Sequence, residues 1–189
     1  MYIISFDIGI KNLAYCYMLH NEILEWDVFD IKCDNVVDTC EKCMKVLHDN
    51  FDNKTINKVL IENQPVQKNP TMKTIQIVVF SYFMYCKAIK NTIESIHFVS
   101  ANKKNKLAQK FNIEVTGSSK YIRAKKMSIL VTKQLIKDTD WESYFDSHKK
   151  KDDLADSYLQ LLAYNNYEPV LPNPPAPLSE EDSSSTSST

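Results

Sequence analysis

A chain of 189 residues, 43% hydrophobic and 25% charged, is long enough for one domain with its own apolar core and ordinary in composition for a folded protein. Its net charge of −1 and the lack of any run near the ~20 apolar residues of a membrane span give no reason to expect a membrane partner. The two glycines, Gly9 and Gly117, are too few for P-loops, dinucleotide folds or kinase loops, which wrap phosphate with several side-chain-free positions, and no small-molecule cofactor is expected.

The N-terminus, Met1 to Phe6, is apolar and aromatic and meets Asp7 at once. It reads as a buried strand over Tyr2 to Phe6 and not as a signal peptide, which puts the chain in an intracellular, reducing compartment. Asp7 to Asn12 is a turn, Leu13 to Leu19 a second strand, and Ile23 to Ile31 a third. Asp34 to Phe51 is amphipathic at helical spacing through Val37, Cys40, Met44 and Leu47. Cys40-x-x-Cys43 falls on one face of that helix with no second pair after it, so all five cysteines (Cys16, Cys33, Cys40, Cys43 and Cys86) read as reduced thiols. Lys58 to Glu62 is a short strand ending in an acid, and Asn63 to Pro70 is loop.

Thr71 to Lys90 reads as a long helix, with Tyr82, Phe83 and Tyr85 as a core stripe in preference to base-stacking groups. Ser95 to Ser100 is a fifth strand. Ala101 to Lys120 is polar and irregular, with one helical turn at Lys104 to Phe111. Helices follow at Tyr121 to Lys137 and Asp152 to Tyr164. The order implies an α/β fold, a mixed five-stranded sheet with helices on both faces. Residues 1–167 form the domain; from Glu168 to residue 189 a Pro- and Ser-rich acidic tail is expected to be disordered.

Asp7 and Glu62 each end an apolar strand. If those strands pair in parallel, both carboxylates emerge at one edge of the sheet, where ligands collect. The last helix opens with Asp152, Asp153 and Asp156, whose spacing places Asp156 on one face with Asp153 or with Asp152. First-turn acids also suit a helix dipole, which accounts for Asp152 best. Such a cluster fits phosphodiester hydrolysis with two Mg²⁺ ions, Mn²⁺ substituting, since hard cations take oxygen ligands. Without metal the acids repel one another and their pKa values rise. The stretch from Lys103 to Lys126 supplies cations for phosphates: Lys103, Lys104, Lys106, Lys120, Arg123, Lys125 and Lys126.

Ser5-Phe6-Asp7-Ile8-Gly9-Ile10-Lys11-Asn12-Leu13-Ala14, Ile61-Glu62-Asn63-Gln64-Pro65 and Lys150-Lys151-Asp152-Asp153-Leu154-Ala155-Asp156-Ser157 resemble the motifs of RuvC-type Holliday junction resolvases, in the poxvirus and large-DNA-virus branch. The resemblance implies an RNase H-like fold, a homodimer, and Mg²⁺-dependent paired nicking of four-way DNA junctions, in the host cytoplasm if the source is viral. It selects Asp7, Glu62, Asp153 and Asp156 as catalytic metal ligands, sets Asp152 aside, and points to Lys104 and Lys126 as functional lysines. Two nicks need two sites related by a two-fold axis, and the Thr71 to Lys90 helix is the expected interface through Ile75, Val78, Val79, Tyr82, Met84 and Tyr85. The alternatives are an RNase H-like nuclease on RNA–DNA hybrid, a non-catalytic DNA-binding module, and a sugar-kinase-like ATPase suggested by Asp7-x-Gly9, which the glycine shortage disfavours.

Overall fold

A computed structural model describes residues 1–67 and 69–169. Five strands, β1 (Tyr2–Ile8), β2 (Asn12–Leu19), β3 (Glu22–Asp30), β4 (Lys58–Glu62) and β5 (Ser95–Val99), form one sheet in the order β3-β2-β1-β4-β5. The first three are an antiparallel meander, because their connections are too short for a crossover. At the β1–β2 turn the Gly9 amide donates to the Asn12 carbonyl at 3.0 Å, and a Cβ on Gly9 would lie 2.7 Å from that oxygen, so the turn requires glycine. The β2–β3 hairpin turns on His20 and Asn21, both left-handed at φ 48° and 73°.

β4 and β5 are reached through helices and run parallel to β1. Phe6 pairs with Ile61 in register, so the residues that follow, Asp7 and Glu62, leave the same edge of the sheet side by side.

Helix α1 (Val36–Phe51) is capped by Asn35, whose side chain accepts from the Asp38 amide, and α2 (Pro70–Tyr85) by Asn69, with proline at its first position. Both cover one face of the sheet over an aromatic core that includes Phe6, Tyr15, Phe51, Tyr82 and Phe83. The other face carries α3 (Ala101–Gln109), α4 (Lys120–Leu135), α5 (Asp140–Ser147) and α6 (Lys151–Tyr164). There Trp26 stacks on Phe145 at 5.2 Å and its indole N–H donates to the Leu154 carbonyl at 2.9 Å.

Four elements depart from the sequence reading. Ala101–Gln109 is a regular helix with Lys104, Leu107 and Ala108 buried; one of its inward residues is a lysine, which hid its amphipathic pattern. α5 was not expected, being eight residues anchored by Phe145, too short for a period to show. The helix expected over Thr71 to Lys90 gives way to a π-helical turn at Cys86–Lys90, closed by Asn91 in the left-handed conformation at φ 54°. Within α2, Ile75, Val79 and Tyr82 face the core and are not free for an interface; the outward apolar residues are Ile77, Met84 and Tyr85.

Cys40 and Cys43 both lie on α1, Cys43 in the core, and all five cysteines are free thiols. No helix among the described residues is long and apolar enough to cross a membrane. The expected tail lies outside the described residues apart from Glu168 and Pro169.

Candidate active site

Asp7 stands at the end of β1, Glu62 at the end of β4, and Asp153 and Asp156 in the first two turns of α6; all four line one cavity of about 370 Å³ at the carboxyl edge of the sheet. What holds α6 there is buried and polar. Gln160, one turn beyond Asp156, donates to the Phe6 carbonyl at 3.1 Å and to the Ser5 hydroxyl at 2.9 Å, pinning the helix to β1 immediately before Asp7. Asn12 donates to Asp153 Oδ2 at 3.1 Å, so the β1–β2 turn orients an acid 141 residues away.

Lys104 reaches the centre of this group. Its ammonium lies 2.8 Å from Asp156, 3.2 Å from Asp7 and 3.5 Å from Glu62, with the residue only 5% exposed. Burial alone would pull the lysine's pKa down, but Asp7, Asp156 and Glu62 outweigh it and hold the group charged well above its ordinary range. Burial pushes the Asp7 carboxyl well up, with Glu62 adding and Lys104 opposing. Asp156 is raised by burial against the pull of Lys104 and Ser128. Asp153 is pushed up to about 6, first by burial, then by the charges of Asp152 and Asp7. These shifts are what mutual repulsion in a water-poor pocket demands.

The donor set fits a divalent cation. Three carboxylates converge on a single positive atom, and hard oxygen donors are what Mg²⁺ or Mn²⁺ takes. The Lys104 ammonium holds the point of convergence, and among the described residues no three His, Cys, Asp or Glu side chains are grouped as a ready metal cage.

The two sequence-adjacent lysines of α4 separate. Lys125 lines the cavity, pairs with Asp152 and lies 5.0 Å from the centroid of the Tyr121 ring. Lys126, preferred over it in the sequence, turns to the Thr116 carbonyl at 3.1 Å, outside the cavity. Asp152 makes no helix cap: the capping position is Lys150, without a side-chain bond, and Lys125 holds the Asp152 carboxyl below its usual range against the effect of burial. Lys120 and Arg123 border a second, adjoining cavity, with Arg123 donating to the Gly117 carbonyl at 2.8 Å. Lys106 is exposed on α3, and Lys103 packs over Tyr164 at the far end of α6.

Two contributors were missed in the sequence. Asn12 orients Asp153, and its position at the close of the Asp7 turn was the available signal. Tyr121, 67% exposed, is the aromatic side chain that lines the cavity, whereas Tyr82 and Phe83 are core and Tyr85, expected in the same core stripe, turns outward at the end of α2; the signal for Tyr121 was an aromatic residue amid lysines at a helix start.

A mixed sheet in this strand order, with acids from β1, β4 and α6 gathered at one edge, is an RNase H-like fold, the fold of the RuvC-type resolvases. It aligns with the fowlpox virus resolvase solved with Holliday junction DNA at a TM-score of 0.59 and 24% identity, over 88% of this chain and 97% of that one. The yeast mitochondrial Holliday junction resolvase Ydc2 aligns at 0.60 and 20%, over 86% and 78%, and Thermus thermophilus RuvC with its junction substrate at 0.54 and 9%, over 88% and 95%. The chain belongs to the poxvirus A22 protein family, the poxvirus branch of the Holliday junction resolvases, whose family model matches residues 1–166. An uncharacterized protein of Acanthamoeba polyphaga mimivirus, L451, is 37% identical over 119 residues, covering 58% of this chain; the match spans 29% of that protein's length.

Proposed function

We propose that this chain is a divalent-metal-dependent endonuclease that resolves four-way DNA junctions by paired symmetric nicks. The observation that carries this is the convergence of Asp7, Glu62 and Asp156 on one cationic point, with Asp153 beside them on the cavity wall. In this reading Asp7, Glu62, Asp153 and Asp156 hold two Mg²⁺ ions, for which Mn²⁺ substitutes. Bound there, the metal would activate water and neutralise charge on the scissile phosphate. Asn12 fixes the Asp153 carboxylate, Gln160 fixes α6 against β1, and Lys104 supplies a permanent positive charge beside the transferring phosphate. Lys125 contacts phosphate at the cavity mouth, and Lys120, Arg123, Lys106, Lys103 and Lys126 add weaker, non-specific attraction along α3 and α4.

The active form is a homodimer, because one such site makes one cut. The exposed apolar residues Ile77, Met84 and Tyr85 on the outer side of α2 are its proposed contact. The unit that acts is residues 1–167, and its place of action is the host cytoplasm, on branched viral DNA.

The test is cleavage of a four-way junction with each arm labelled in turn, with Mg²⁺. Paired symmetric nicks that Asp7→Asn abolishes are the expected result. Equal cutting of plain duplex would overturn the reading, and cutting of an RNA–DNA hybrid in place of the junction would transfer the same chemistry to a different substrate.

A further inference from the structure

Beside the acid cavity lies a second one of about 220 Å³, between α3, α4 and the segment that joins them. Asn105 and Ala124 line both cavities, so the two are separated by one shared wall. The walls of the second are apolar, from Ala108, Val115 and Met127. Its polar groups are of two kinds. Asn105 and Gln109, one helical turn apart on α3, present side-chain amides, and Lys120 and Arg123 stand at its border as cations.

Apolar walls, a pair of amides and adjacent cations are three separate requirements, and an unpaired nucleotide meets all of them. The ring packs on the apolar walls. An amide both donates and accepts, which matches the edge of a nucleobase and of adenine in particular. The cations take the phosphate of the same residue. The cavity is too small for a helix or a strand of a protein partner, and a free inorganic anion would leave its apolar walls without an occupant.

Resting on the junction-resolvase reading above, we propose that this cavity is a nucleobase subsite: it receives one unstacked base next to the phosphate held at the acid cluster, and Gln109 with Asn105 reads the edge of that base. Extruding a base costs unstacking energy, less where a stacking neighbour is already missing, as at the crossover of an open four-way junction. The subsite gives the enzyme a base preference at one position flanking the cut. Gln109 is exposed and makes no side-chain hydrogen bond among the described residues, so its substitution should leave the fold intact.

The test has two readouts. In metal-free buffer, 2-aminopurine placed at each position flanking the crossover reports unstacking by a rise in fluorescence on binding. With Mg²⁺, junctions carrying each of the four bases at those positions report preference. The wild type is expected to unstack the probe at one position and to prefer one base there by about tenfold, the discrimination of one well-placed amide contact. Gln109→Ala should flatten that preference while still cutting every junction, and Val115→Phe, which fills the cavity, should abolish the fluorescence rise. If the wild type binds and cuts junctions but Gln109→Ala leaves its base profile unchanged, the subsite is overturned and the nuclease reading stands. If the wild type neither binds nor cuts a junction, the nuclease reading falls and the subsite with it.

Discussion

The two faces of the sheet are built on different terms. Under α1 and α2 the packing is aromatic, with Phe83 meeting Phe6 at 5.3 Å, Tyr82 at 5.1 Å and Phe51 at 6.3 Å. Under α3, α4 and α6 the interior admits Ser5, Lys104, Ser128, Thr132, Ser157 and Gln160. The first face gains transfer free energy and dispersion, with Thr39 and Gln76 as its buried polar residues. The second accepts more of them, and among these Lys104, Ser157 and Gln160 bond to the acid-bearing strand or helix. Both faces bury an apolar core of similar extent, and the candidate site is added to only one of them.

Breaking each face separately tests this division. The largest effect is expected from Asp7→Asn, a loss of junction cleavage of roughly a thousandfold or more with the melting temperature unchanged or raised, because a buried acid that is costly to ionise has been removed. Phe83→Ala should do the reverse, lowering stability by about 3–5 kcal/mol in urea unfolding while the cleavage rate per folded molecule holds.

Lys104→Met crosses the division. It leaves Asp7, Glu62 and Asp156 without their central cation and should cost about 3 kcal/mol in metal-free buffer. Mg²⁺ should restore most of that loss, and metal affinity measured by calorimetry should rise, since the cation that competes for the carboxylates is gone. Unchanged affinity would show that the lysine and the metal hold different positions.

A smaller effect concerns pH. Asp153, with its folded pKa near 6, binds its proton more tightly folded than unfolded. Its contribution is therefore complete below the ordinary aspartate value of about 4 and is lost as pH rises through 6. Asp7 and Asp156 are shifted in the same direction. The metal-free melting temperature should thus fall between about pH 4 and 6, Asp153→Asn should flatten that slope, and saturating Mg²⁺ should reverse it. The smallest expected contrast is within α4: Lys125→Ala should weaken junction binding in metal-free buffer by about tenfold and Lys126→Ala by less than twofold, since one lines the cavity and the other bonds to a backbone carbonyl.

The strands, α1 and the acids Asp7 and Glu62 were legible in the sequence because apolar runs bounded by turns and ending in acids are local signals. Asp153 and Asp156 needed the family motif, since spacing on a helix shows which residues share a face but not which face meets a sheet. What stayed hidden were features set by packing: α3, whose inward lysine reads as surface; α5, shorter than a readable period; the Asn12 bond to Asp153 across 141 residues; and the divergence of Lys125 from Lys126, one residue apart and a hundred degrees around the same helix.

The placement of Asp153 and Asp156 on α6 also has a meaning in time. During synthesis the sheet strands, the lysine of α3 and the basic start of α4 all leave the ribosome before Lys151 does. Until α6 emerges, the nascent chain holds only Asp7 and Glu62 of the four proposed metal ligands. In the proposed reading, a chain ordered in this way has no complete metal site until its final described helix docks.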